Sequence, residues 1–394
     1  MDSIIYLAVR YVLFHRVKSL ILIACVTFSI FLPMAGKTVL DKVEVELRSR
    51  AVETPYVLGA KGSRFDLVLH ALYFDVPPPE TITYLQYQQT RKAGSGRPIP
   101  IYRTHLVQED VPLVGVGFEY FSYRNLELAQ GNWFGRIGHC VIGWKVARQL
   151  QLRVGDKLLS KPENDVNLAG ATPVRMEIVG IMKPSGTSDD GVVFTDLKTT
   201  WLIDGLGHGH QDIEEEKDPN LFLEKKQRSA IVNQGVLPYI EITDENVGAV
   251  HFHGDPGEFP LTALILNPPD EKSATLLQGK IESDRGNGLQ VIQPKLVIQQ
   301  LIEKILKVKQ LFDFGSVTII LITILFLVLN TLLSIRLRER EMATLHKIGC
   351  GRYTVLGLFA WEYVIVILFS LLLALSLTFG CVDDLQQLIL QAIR

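Results

Sequence analysis

The sequence predicts an α-helical membrane protein of three spans, with a large extracytoplasmic α+β domain inserted between transmembrane helices 1 and 2. Three observations carry that reading. The runs 19–36, 317–335 and 355–380 are almost free of charge, and each approaches the roughly 20 residues that a helix needs to cross about 30 Å of hydrocarbon. The stretch 37–316, about 280 residues, is polar, punctuated by glycine and proline, and long enough to bury a real core. A hydrophobic fraction of 47% beside 21% charged residues suits a chain that faces lipid in part and water in part. The net charge of -2 offers no electrostatic footing for nucleic acid.

Residues 1–18 form a basic, amphipathic N-terminus with Arg10, Arg16 and Lys18 before the first span. Arg336, Arg338, Arg340, Lys347 and Arg352 follow the second span, whereas Asp383 and Asp384 follow the third. The positive-inside rule therefore places the N-terminus and the segment 336–354 in the cytoplasm, with 37–316 and the tail 381–394 outside a plasma or inner membrane. A signal sequence is the alternative for the first run, given small residues at Ala35 and Gly36, and its cleavage would leave the remaining topology unchanged.

Within 37–316, Thr38 to Arg48 alternates loosely and leads out of the membrane, and the turn 59–64 precedes an apolar stretch, Phe65 to Leu72. That turn lacks the Gly-Lys-Ser/Thr ending of a nucleotide loop. A short strand over Cys140 to Gly143, a helix over Trp144 to Leu150 and a strand over Val174 to Met182 follow from composition and period-2 alternation. Asp204 to Asn220 reads as an exposed loop and Ile240 to Leu266 as β-rich. Two subdomains are expected, 38–110 with 256–293 and 111–255. Pro294 opens a stalk helix, 294–316, whose Val297, Leu301, Ile305, Val308 and Phe312 share a face and which can continue into the second span. The scattered cysteines leave only Cys140 and Cys381 outside, so stability there rests on the core.

Two groups of residues invite chemistry. The first is Arg338, Glu339, Arg340, Glu341, Leu345, Ile348 and Gly349 between the last two spans, a charged helix with an apolar contact at Leu345 and Ile348. Its bland reading is a solvated inter-helix turn. Glu362, seven residues into the third span, is expected to reach the headgroup region or to pair with a basic residue of 336–352 rather than to relay protons. The second group is His208, His210, His251 and His253, with Asp212, Glu214, Glu215, Glu216 and Asp255 nearby. It reads first as incidental histidines of two exposed loops, because neither His-x-His pair alone supplies the three or four ligands of a metal site. No Gly-x-Ser-x-Gly, His-Glu-x-x-His or Cys-x-x-Cys pattern marks an enzyme.

The order Arg338, Glu339, Arg340, Glu341, Leu345, Gly349, Glu362 resembles the cytoplasmic loop and following helix of the FtsX/MacB/LolC superfamily of ABC-transporter permeases. Gly131-Asn132-Trp133-Phe134, Val141-Ile142-Gly143 through Leu150, Val154-Gly155-Asp156, and Val179-Gly180-Ile181 before Gly186-Thr187 resemble its outer domain. Each motif is weak alone; together and in order they cover nearly the whole chain. The resemblance implies a non-catalytic permease without a cofactor of its own, with ATP-Mg bound on a separate ABC ATP-binding subunit that the 336–354 helix contacts. It implies a second permease copy or a homologous permease as partner, and allows an adaptor or an outer-membrane or periplasmic partner. Export or extraction of a lipoprotein, lipid, peptide or amphiphile is the function implied. The alternatives are an ATPase-linked regulator of a cell-wall hydrolase and a membrane-anchored sensor or scaffold. Family members usually have four spans, and 381–394 is too short and polar to be one, which leaves a three-span permease or a shortened chain.

Overall fold

The computed structural model describes residues 2–76, 80–93, 96–162, 173–208, 222–226, 229–232, 239–284, 286, 288–347 and 349–393. In chain order the helices are α1 (Asp2–Phe14), α2 (Arg16–Val52), α3 (Arg64–Tyr73), α4 (Tyr84–Lys92), α5 (Glu119–Tyr123), α6 (Trp144–Gln149), α7 (Leu197–Ile203), α8 (Glu271–Ser283), α9 (Pro294–Leu337), α10 (Glu339–Lys347) and α11 (Arg352–Ile393). The chain divides into two compact units, one made of Met1–Leu47 with Gln300–Arg394 and the other of Arg48–Gln299.

The first unit is helical. Among the described residues three helices are long and apolar enough to cross a membrane, within Arg16–Val52, Pro294–Leu337 and Tyr353–Cys381. Small polar groups link them alongside buried apolar side chains such as Leu22, Val26 and Val366. Ser29 and Thr323 share a 2.6 Å hydrogen bond between α2 and α9, and Ser370 of α11 donates to the Ile23 carbonyl of α2 at 3.2 Å. Such bonds distinguish one helix pairing from another where lipid tails are as apolar as leucine. A Cβ on Gly36 would stand 2.3 Å from the Phe312 ring, so a larger residue in α2 would require that ring of α9 to shift. Beyond that point Lys309 reaches Asp41 at 2.7 Å.

The second unit is built on a mixed sheet that has eleven strands among the described residues. Its main path runs Ile240–Glu241, Val174–Met182, His139–Ile142, Val193–Asp196, Val111–Val116, Ile99–Val107, Ala263–Leu266, Tyr56–Ala60 and Leu289–Ile292. Helices start where a side chain can satisfy the first free amides. Ser63 accepts from Asp66 N at 3.2 Å, Thr83 and Gln86 form a reciprocal capping box, Asp196 accepts from Lys198 N and Thr199 N, and Asp270 accepts from Ser273 N at 2.6 Å. Two apolar clusters line the sheet. One gathers Leu113, Cys140, Ile142, Leu158, Met176 and Val193, the other Leu58, Tyr102, Trp201, Leu264, Leu266 and Leu277. One continuous sheet carries both clusters within the compact unit Arg48–Gln299.

Some expectations shift. Thr38 to Arg48 is helical, because α2 continues to Val52 with Val39, Val43, Leu47 and Ala51 buried four residues apart, the spacing of one helix face. Phe65 to Leu72 lies in α3. The 294–316 stalk runs on into the 317–335 span as a single helix, α9, the continuation that the sequence allowed, whereas the expected tail 381–394 continues α11 as far as Ile393. The strand Val174–Met182 has the predicted bounds. The four cysteines are free thiols.

Candidate functional site

The carboxylate of Glu362, 4% exposed, organises a charged junction inside the helical unit. Arg338 stands between α9 and α10, with its amide on the Ser334 carbonyl at 3.1 Å and its own carbonyl accepting from Met342 N at 2.9 Å, so the helical path barely breaks there. Its buried guanidinium donates through Nη1 to Glu362 Oε2 at 3.1 Å. It also lies 3.1 Å from the centroid of Tyr11 in α1 and 4.9 Å from that of Phe359 in α11. Lys18 of α2 approaches Glu362 Oε1 at 3.6 Å and donates to Ser334 Oγ. One carboxylate and two aromatic rings thus tie α1, α2, α9 and α11 together through two cations.

The helix α10 projects from this junction. Glu339, Arg340, Ala343, Thr344 and Lys347 are exposed, and Gly349 closes the segment at φ 94°, a left-handed conformation that favours glycine. The structure therefore splits the sequence-predicted group. Arg338 turns inward to Glu362, while Glu339 and Arg340 face solvent. Ile348 lies outside the described residues, as do the side chains of Glu341 and Leu345.

The histidines sit elsewhere, in the second unit. Gly207–His208 and His251–Phe252 pair as an antiparallel ribbon with His208 opposite His251. His208, His251 and His253 each bring one ring nitrogen to within 4.8 Å of the other two. Asp255, named with them from the sequence, instead caps the turn at Gly257 N, and His210 lies outside the described residues.

Comparison with known proteins decides the family. The model of the MacB-like periplasmic core domain matches residues 20–223, just over half of the chain, and that of the FtsX-like permease C-terminal matches residues 314–391. The chain belongs to the FtsX/MacB-like permeases of ABC transporters. Among solved structures, the periplasmic region of MacB from Actinobacillus actinomycetemcomitans is 10% identical, with a TM-score of 0.34 over 65% of this chain and 97% of that one. The extracellular domain of the noncanonic ABC-type transporter YknZ from Gram-positive bacteria is 11% identical, with a TM-score of 0.33 over 60% of this chain and 98% of that one. No curated protein matches the chain. The family is membrane-embedded, is generally non-catalytic, and typically works with an ATP-binding subunit.

Sequence reasoning missed one feature of this permease. Arg50, in the last turn of α2, is buried in the second unit and grips Asp189 with both terminal nitrogens, at 2.5 and 2.9 Å. Tyr120 Oη accepts from Arg50 Nη2 at 2.8 Å and donates to Asp189 Oδ1 at 2.6 Å, and Thr187 Oγ1 donates to Oδ2 at 2.9 Å. Burial alone would push the Asp189 carboxyl up, yet Arg50 and these donors hold it below the usual carboxylate range. Burial opposes the Arg50 charge in the same way, and Asp189 overcomes it. The partners are 139 positions apart, so no local pattern announces the pair.

Proposed function

We propose that this chain is the permease subunit of an ABC system that exports or extracts a substrate outside the cell membrane. In this reading α10 lies on the cytoplasmic side and docks on a separate ATP-binding subunit carrying ATP-Mg. Nucleotide-driven closure there shifts α10, the Glu362 junction passes the shift to α1, α2, α9 and α11, and α2 and α9 carry it towards the outer domain. The observation that bears most weight is the junction itself, in which a buried carboxylate links the root of α10 to the other helices of its unit. A rigid, discretely packed junction of this sort transmits displacement better than a flexible loop. Support for the two long helices comes from their extents. α2 gives residues 16–47 to the first unit and 48–52 to the second, and α9 gives 294–299 to the second and 300–337 to the first.

A second permease, identical or homologous, completes the assembly, since two ATP-binding subunits call for two docking helices. A lipoprotein, lipid, peptide or amphiphile fits a substrate handled outside. Positive residues around the first and second spans favour an N-terminus inside and 48–299 outside.

Docking is tested by charge reversal on the exposed face of α10. The double variant Glu339→Lys with Arg340→Glu should weaken co-purification of the ATP-binding subunit by ~30-fold or more, because unpaired groups in a desolvated contact cost about 2–5 kcal/mol. Thermal unfolding of the permease alone should be unchanged, since both side chains are exposed. Full retention of the partner and of substrate-stimulated ATP hydrolysis by this variant would return α10 to an ordinary inter-helix connection.

A further inference from the structure

The His208 ribbon does more than decorate the surface of the second unit. In an antiparallel pair, residues directly opposite point to the same face, and so do residues two apart on one strand. His208 and His251 are the opposed pair, and His253 continues two residues beyond His251. All three imidazoles therefore emerge on one side. Their ring centroids lie 4.4 Å apart for His208 and His251, and 4.7 Å apart for each of the other two pairings. The intervening Phe252 packs on the core cluster with its ring 5.9 Å from Phe259, and His253 N donates to the Leu206 carbonyl at 2.8 Å. The ribbon is thus pinned from behind, with His251 and His253 exposed and His208 half-buried.

The nitrogen positions suit a metal. His253 Nε2 and His208 Nδ1 stand 3.2 Å apart. A tetrahedral ion with Zn–N bonds of about 2.0–2.1 Å requires ligand nitrogens roughly 3.3 Å apart, so one edge of the tetrahedron is already close to that length. One nitrogen from each of the three rings lies within 4.8 Å of the other two, so closing the remaining edges takes shifts of roughly 1.5 Å or less. His251 and His253 are exposed and can make that adjustment by rotation.

We propose that His208, His251 and His253 form a transition-metal site that binds one zinc(II)-class ion through three imidazole nitrogens, with solvent in the fourth position. An all-imidazole donor set suits zinc, copper or nickel and disfavours magnesium and calcium, which require oxygen. The ion bridges two chain segments 43 to 45 positions apart and locks the ribbon on the outer unit. The proposal stands on the ribbon alone and is independent of ATPase docking.

The test uses the tag-free full-length permease in detergent, stripped with a chelator, and titrates zinc(II) in competition with a chromogenic chelator. One ion should bind per chain, and cobalt(II) should give the absorption of a tetrahedral site. His251→Gln and His253→Gln should each weaken uptake by more than the ~10–100-fold that loss of a mere orienting partner costs, with the metal-free unfolding transition unchanged. No uptake at micromolar zinc, or stoichiometric uptake that survives both substitutions, would overturn the site.

Discussion

Replacing Arg50 by alanine is expected to destabilise the 48–299 unit by about 3–5 kcal/mol, because it strands a buried carboxylate that has lost its cation. The side chains of Arg50 and Asp189 are 3% and 1% exposed, so water cannot compensate. Tyr120 and Thr187 still donate to the carboxylate, but they carry no charge. The double replacement Arg50→Met with Asp189→Leu should recover most of the loss, since removing both charges removes the desolvation cost as well. Denaturant unfolding of the full-length protein in detergent, followed by tryptophan fluorescence, reads both. A single variant as stable as wild type would show that the pair is incidental. The pH dependence has a definite sign. With its native pKa depressed, Asp189 contributes fully above the unfolded value of about 3.9 and loses that contribution as pH falls below it. The Asp189 contribution should therefore persist from neutrality to about pH 5, and Asp189→Asn should remove this group's share of the acid limb.

Glu362→Ala should have a comparable effect in the helical unit, about 3–5 kcal/mol, because it leaves Arg338 and Lys18 facing each other without an anion. Arg338→Lys should also be costly, since an ammonium cannot reproduce a planar guanidinium lying over Tyr11 and Phe359. Glu362→Gln keeps an acceptor and should fall between wild type and alanine. The measurement is thermal inactivation of the detergent-solubilised permease, with proteolysis of α1 as a local readout. If Glu362→Ala leaves both unchanged, the junction is not what holds α1 to the bundle.

Much of this architecture was legible in the sequence where the signal is local. The period-2 run Val174 to Met182, the proline that opens α9 and the three apolar spans each appear with the predicted type. For Glu362 the sequence left the headgroup region and a basic residue of 336–352 both open, and the structure pairs it with Arg338. The reading failed where two periodicities overlap. Lys42, Glu44 and Glu46 alternate with apolar residues and imitate a strand, whereas Val39, Val43, Leu47 and Ala51 carry the helical period that prevails. It also failed where partners are remote. Nothing near Arg50 points to Asp189, and the His-x-His pair at 251 and 253 becomes a cluster of three imidazoles only when strand pairing brings in His208. The sheet order, with parallel and antiparallel neighbours far apart in sequence, is set by tertiary packing and leaves no local trace.

The central claim is that α10 meets an ATP-binding subunit in the cytoplasm. A photo-crosslinking group at position 343, on the exposed face of α10, tests it most directly in native membranes. The account predicts capture of the ATP-binding subunit from 343 and none from exposed Leu276 of the second unit, with a cysteine at 276 labelled by a membrane-impermeant reagent from outside and one at 343 protected. Capture from 276, or labelling of 343 from outside, would contradict it.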